Sequence, residues 1–275
     1  MYRLDQLLGA SNSLPSIPRV IALTLNELNK DEPDLMQLRN LLGEDPILTS
    51  RLLQMVNSAS FGLHRQLSSV HEALTVLGLG QVRDVVLTAA LVASFNQVRA
   101  IPMRQFWRYS LNVAKLSRRL AHYRDAGPSP FTAGLLSAVG ELILHKGQPL
   151  VMEKIDTRCP WFAVERAGME MSVLSYCYAQ ASGGFARAWS LGEDLAVILE
   201  THDGLPFTRL VHPLAGVLKL ASWRARAIEA GMDAKQLANS FPELTARALG
   251  MDLQTVLAYD LVEWTSSAEV EAFAR

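Results

Sequence analysis

The side chains most able to hold a metal or move a proton at neutral pH are six histidines: His64, His71, His122, His145, His202 and His212. The only adjacent His-Asp pair is His202-Asp203, and His212 follows a Gly204-Leu205-Pro206 break. A bound divalent ion needs three or more donors converging from different segments. His202, Asp203 and His212 can supply part of such a set, but Asp203-Gly204 reads more simply as the end of a helix. Ser110, Ser137 and Ser222 have no nucleophile signature around them, and no glycine-rich phosphate loop follows a strand, because strand signals are nearly absent. Cys177, within YCYAQ, reads as a small core residue, and Gly183-Gly184 as a place where helices approach closely. The residue chemistry alone assembles no catalytic constellation.

Composition narrows the classes. The 275 residues are 49% hydrophobic with a net charge of −1, which suits one large or two modest globular domains and gives no bulk attraction to polyanions. The arginines of KLSRRLAHYR fall at helical spacing beside Leu116 and Leu120 and read as a solvated face. In HEALTVLGLGQVRDVVLTAAL, which resembles a helix-turn-helix, only Gln81, Arg83, Asp84 and Thr88 offer polar groups to base edges; a buried helical hairpin is the simpler reading. The apolar run VVLTAALVASF is short for a membrane span and is bounded by Asp84 and Asn96. No basic flank precedes an apolar stretch at the amino terminus, so no export signal is read. Cys159 and Cys177 are then expected as reduced thiols in a cytoplasm.

The elements that must position these groups are helices. Pro18 can open one carrying Val20, Ile21, Leu25 and Leu28. Asp34 can cap a second ending near Gly43, and Pro46 can start a third. Ser69-Val-His-Glu72 has the form of a capping box for a helix ending at Gly78, with a more apolar helix following to Phe95. Further helices are expected near 104–123, 130–146, 165–189, 192–202 and 212–230, with Asp252 capping a last one. The fold class expected is all-α, in two lobes.

Three stretches occur in order: LPSIPRVIALTLNELN, EDPILTSRLLQMVNSASFG and SSVHEALTVLGLGQVRDVVL. With Asp45-Pro46 at a helix start, Asn57-Ser58-Ala59 and Leu77-Gly78-Leu79, they resemble the amino-terminal half of an HDOD domain, a relative of the HD phosphohydrolases. The resemblance runs on through FWRYSLNVAKLSRRLA, FTAGLLSAVGELIL and the segment ending ARAWSLGEDL, covering about residues 10–225. It implies an HD-like helical bundle preceded by an amino-terminal helical lobe, the lobe at 1–100 and the bundle with a carboxy-terminal helix at 101–275.

HD phosphohydrolases hold their metal with one His, an adjacent His-Asp pair and a later Asp. The pair falls in a segment similar to GLLSAVGEL, so Ser137 and Ala138 stand in its two places. Tyr109 stands for the earlier His, Ser222 most nearly for the later Asp, and Tyr178 for a further histidine of many relatives. Glu141 replaces a lysine suited to phosphate, and is expected to repel an anionic substrate. His202 is the one remnant, and a single ligand does not hold a metal. Serine is a poor donor for a borderline cation and alanine offers none; without the ion there is no activated water and no Lewis acid. The resemblance therefore implies a non-catalytic bacterial signalling module of the cytoplasm, with no metal and no cofactor. Its implied partners are other signalling proteins, in cyclic-di-GMP or motility circuits, rather than nucleic acid or membrane. Two other readings stand beside it: a metal-dependent phosphohydrolase, and a nucleotide-binding sensor using the vacated pocket. The expected partner surface is Asn57, Ser58, Phe61 and Gly62, with Asn57 as a helix-end cap and Phe61 as a core anchor the plainer reading.

Overall fold

The computed structural model describes residues 3–9, 14–15, 18–44, 46–57, 66–95, 97–121, 129–203, 212–258, 264–267 and 270–271. Every regular element among them is helical. In chain order these are α1 (Leu4–Gly9), α2 (Arg19–Leu28), α3 (Leu35–Gly43), α4 (Pro46–Val56), α5 (Val70–Ser94), α6 (Met103–Leu120), α7 (Pro130–Leu136) and α8 (Val139–Gly147). There follow α9 (Pro149–Asp156), α10 (Arg166–Leu174), α11 (Tyr178–Ala188), α12 (Glu193–Thr201), α13 (Pro213–Glu229), α14 (Ala234–Ser240), α15 (Glu243–Ala248) and α16 (Leu253–Ala258). The chain divides into two compact units, Met1–Leu14 with Gln97–Trp264 and Pro15–Asn96 with Thr265–Arg275.

The caps act as their chemistry requires. Asp34 accepts from the amides of Met36 and Gln37 at 2.8 and 3.1 Å, and Asp252 from that of Thr255 at 2.7 Å. At α5 the Ser69 hydroxyl accepts from the Glu72 amide at 3.2 Å, but the Glu72 carboxylate takes the Ser68 amide at 2.9 Å instead of that of Ser69. The box is shifted by one residue.

Two long helices expected from periodicity are each a pair. The 130–146 segment breaks between α7 and α8, and the 165–189 segment breaks where Ser175 turns left-handed (φ 67°) before α11. Periodicity survives such breaks because the same face stays buried on either side, so apolar spacing does not reveal them. Helices α1, α9, α14 and α15 go beyond the anticipated set. At Gly78 the expected break is present: its backbone leaves the helical region (φ 74°), so α5 consists of two helices, 70–77 and 79–94, that meet at a kink.

In the smaller unit α2, α3 and α4 pack around α5. Val82, Val85, Val86, Ala89, Ala90 and Leu91 of α5 are buried, and so are Asp84 and Thr88, two of the four side chains that a base-reading helix would have shown. The Thr88 hydroxyl donates to the Asp84 carbonyl within the helix. By length and composition α5 would cross a membrane; its kink leaves neither segment at the roughly 20 residues a span needs, and its burial marks a core helix.

In the larger unit α6 carries α7 and α13, while α11 lies against α8 and α12. Phe106, Trp107, Tyr109, Leu111, Val113, Leu116 and Leu120 form the buried face of α6. Arg108 grips Glu229 at the end of α13 with two hydrogen bonds of 2.9 and 2.7 Å. Two glycines set the closest approaches. A Cβ on Gly134 would stand 2.6 Å from the Ala114 Cα of α6, and one on Gly140 would overlap the Tyr178 carbonyl oxygen of α11. Both obstacles are backbone, which cannot swing aside. Gly140→Ala is therefore expected to lower stability by about 2–3 kcal/mol or more, whereas Gly168→Ala, with open space around it, is expected to leave the denaturant midpoint unchanged or raised. Equal midpoints for the two variants would refute the close-approach argument.

Candidate functional site

The break between α7 and α8 falls on Ser137-Ala138. Ser137 closes α7 by donating its hydroxyl to the Gly134 carbonyl at 2.7 Å, and Ala138 leaves the helical region to become the cap position of α8. Such a break strands backbone groups, and α11 supplies their partner. The Ser182 hydroxyl donates to the Ser137 carbonyl at 3.0 Å and accepts from the Gly140 amide at 2.8 Å. Ser137 and Ala138 are both fully buried. Neither presents a donor to a ligand.

Tyr178, whose carbonyl abuts Gly140, leads from this segment to other positions singled out from sequence. Tyr109 from α6, Tyr178 from α11, Ser222 from α13 and His202 after α12 are all buried. Tyr109, Tyr178 and the Asp203 beside His202 meet at Arg226, one turn after Ser222, which sequence reasoning passed over. Its guanidinium carbon lies 4.7 Å from the Tyr178 ring centre and 5.9 Å from that of Tyr109. Nε donates to the Tyr109 hydroxyl at 3.3 Å, Nη1 donates to the Ala163 carbonyl at 2.7 Å, and Nη1 is 3.8 Å from the Asp203 carboxylate. Tyr178 donates its hydroxyl to the same carboxylate at 2.5 Å, and Lys219 flanks Asp203 at 3.6 Å. Burial pushes the Tyr178 phenol well above its ordinary range, so it stays a neutral donor. A signal was legible: Leu218, Ser222 and Arg226 recur every four residues on a buried stripe, where an arginine is out of place unless it is paired.

His202 is held by a hydrogen bond from Nδ1 to the Leu199 carbonyl at 2.6 Å. A carbonyl only accepts, so Nδ1 carries the proton and Nε2 keeps its lone pair. Nε2 has no hydrogen-bond partner among the described residues, and the same holds for the Ser222 hydroxyl and Arg226 Nη2. The imidazole sits edge-on to Tyr178, and burial drives its pKa down to about 4. These residues do not fit a divalent cation. Among the described residues here, one imidazole and one carboxylate are the strong donors, and the carboxylate already faces a guanidinium that would repel the ion.

A second buried cation lies nearby. Arg166, with no exposed surface, donates to Glu170 at 2.8 Å, to Asp156 at 2.8 Å and to both oxygens of Glu141 at 3.2 and 3.1 Å. His145 bridges the Glu141 carbonyl and the Asp156 carboxylate at 2.7 and 3.0 Å. Burial, and then the charge of Glu141, raise the Glu170 pKa well above the carboxylate range, so Glu170 retains its proton to higher pH. This corrects the expectation for Glu141: it is fully buried and bound to Arg166, and does not stand where it could repel a substrate. The remaining Glu170 oxygen accepts from the Tyr178 amide at 2.7 Å. Tyr178 therefore touches both clusters, by backbone to one and by hydroxyl to the other.

Other candidates resolve simply. Cys177 is buried with its pKa raised by burial to about 12, an unreactive thiol, and both cysteines are free. Asn57 is held to Leu67: its side-chain amide donates to the Leu67 carbonyl at 2.8 Å and accepts from the Leu67 amide at 2.7 Å. Ser58, Phe61 and Gly62 lie outside the described residues.

Comparison with known proteins agrees with this fold. The family model of the HDOD domain matches residues 14–205. A protein from Shewanella amazonensis, named provisionally as a phosphohydrolase, has a structure of TM-score 0.75 at 23% identity, covering 98% of each chain. An HDOD domain protein of unknown function from Geobacter sulfurreducens gives 0.73 at 20% identity, covering 98% of this chain and 96% of its own. An uncharacterised protein of Treponema pallidum is 20% identical over 236 residues, 83% of this chain but 45% of that protein, so the chain spans less than half its length.

The depressed pKa of His202 fixes a sign. The folded state binds fewer protons than the unfolded one, so this group's contribution is present above pH 6.5 and is lost as pH falls through about 4. The loss amounts to roughly 3 kcal/mol. Unfolding measured between pH 7 and 4 should show it, and His202→Gln should flatten that part of the profile. An unchanged slope in the variant would refute the assignment. Arg226→Met should lower stability by about 3 kcal/mol, because it leaves Asp203 without its buried cation; calorimetry at pH 7 checks this.

Proposed function

Since the chain belongs to the HDOD domain family, we propose that it is a non-catalytic regulatory module that works by contacting other signalling proteins. One observation carries the reading. Where HD phosphohydrolases place metal ligands, this chain has Tyr109, Ser137, Ala138, Tyr178 and Ser222, and the charge among them is the side chain of Arg226. A guanidinium has no open coordination position and cannot lower the pKa of a bound water as a metal does. Cyclic-di-GMP or motility circuits are the setting that the family resemblance suggests, with the loop at Asn57, Ser58, Phe61 and Gly62 as one contact surface and the cytoplasm as its place.

The rival is metal-dependent phosphohydrolysis, a phosphohydrolase being what the Shewanella amazonensis protein is provisionally named. Elemental analysis of the purified chain separates the two, together with hydrolysis of an activated phosphodiester in the presence of Mn²⁺. The regulatory reading expects no stoichiometric metal and no turnover above buffer. It also expects none after Ser137→His with Ala138→Asp, because Tyr109, Ser222 and Arg226 remain. That double variant should be less stable by about 1–3 kcal/mol for each buried polar group left unsatisfied. Metal-dependent turnover by either protein would overturn the reading.

A further inference from the structure

Resting on the regulatory reading, in which this site holds no metal, we propose that Arg226, Ser222 and His202 bind a small oxyanion carrying its own hydroxyl, of the bicarbonate or inorganic phosphate class. The site is built on one stripe of α13. Lys219, Ser222 and Arg226 stand at i, i+3 and i+7 and so share a helix face. Both ends of the stripe reach the same carboxylate: Lys219 Nζ lies 3.6 Å from Asp203 Oδ1, and Arg226 Nη1 lies 3.8 Å from Oδ2. Ser222, between them, therefore faces the end of α12, where His202 directly precedes Asp203. The His202 ring and the Arg226 guanidinium also meet on one side chain, the Tyr178 ring, at 5.8 and 4.7 Å.

Each of the three residues brings one polar atom that the protein leaves unanswered. Arg226 Nη2, Ser222 Oγ and His202 Nε2 have no hydrogen-bond partner among the described residues, and these residues are only 2%, 3% and 1% exposed. A buried polar group without a partner is costly, most of all on a cation. The chemistry of the three atoms specifies what satisfies them. Nη2 and the Ser222 hydroxyl donate, so they call for acceptor oxygens. Nδ1 of His202 already gives its proton to the Leu199 carbonyl, so Nε2 only accepts and calls for an O–H. Charge narrows the choice further. Asp203 is shared between Lys219 and Arg226, which leaves one positive charge among the three; water does not neutralise it and an anion does. Bicarbonate and hydrogen phosphate each offer negative oxygens together with a hydroxyl. Sulfate has the shape of phosphate but no hydroxyl at neutral pH. Access is from the side of Asp203 and Lys219, whose side chains keep 18% and 23% exposure.

The test uses the full chain in degassed, phosphate-free buffer at neutral pH, with a chelator present and ionic strength held constant. Sodium bicarbonate and sodium phosphate are titrated separately by calorimetry, with sodium sulfate as the control. At least one of the first two should bind and sulfate should not, and the tighter of the two identifies the source of the oxyanion. Ser222→Ala removes one hydrogen bond to a charged acceptor and should weaken binding about 10-fold. Binding by neither salt, sulfate binding as tightly, or native affinity in Ser222→Ala would each overturn the proposal. So would binding that appears only after Mn²⁺ is added. Should Ser222→Ala fail to fold by circular dichroism, nuclear magnetic resonance of the native chain with isotope-labelled histidine decides. The oxyanion should shift the Nε2 resonance of His202 while Nδ1 keeps its proton, and an unmoved Nε2 resonance would overturn the proposal. None of these readouts measures hydrolysis. A failure here leaves the regulatory reading standing, whereas Mn²⁺-dependent phosphodiester turnover sinks that reading.

Discussion

A guanidinium removed from water must recover its hydrogen bonds and counter-charge from the protein, or the fold loses several kcal/mol. The larger unit buries two of them. Arg166 is met by three carboxylates and the Cys159 carbonyl, and Arg226 by two tyrosines, the Ala163 carbonyl and Asp203. These partners come from α6, α8, α10, α11, the ends of α9 and α12 and the segment between α9 and α10, and they meet arginines carried by α10 and α13. Satisfying two cations therefore fixes how most of the bundle packs.

Tyr178 couples the two. Its amide satisfies Glu170 and its hydroxyl satisfies Asp203, so the start of α11 cannot shift without disturbing both sets of charges. The same residue's carbonyl lies where any side chain at Gly140 would have to go. The segment equivalent to a His-Asp metal pair is thus pinned by backbone contact, by Ser182 and by two ion clusters.

Helical class, most caps and the buried stripes followed from patterning, because apolar periodicity and capping chemistry act within a few residues of chain. The interruptions at Ser137-Ala138 and Ser175 did not. Each is stabilised by a partner distant in sequence or by a left-handed residue that periodicity ignores, as with the Ser182 hydroxyl, which lies 45 residues from Ser137.

The candidate site divides the same way. Tyr109, Ser137, Ala138, Tyr178 and Ser222 could be named from motif order alone, since a substitution within a segment is a local fact. That Arg226 stands among them could not, nor that Glu141 turns inward to Arg166. A charged side chain is read as solvated until its counter-charges are found, and here they come from helices remote in sequence. Residue type set which groups could bond. Their pairing was decided by packing, because electrostatic and hydrogen-bond partners are chosen by proximity in space.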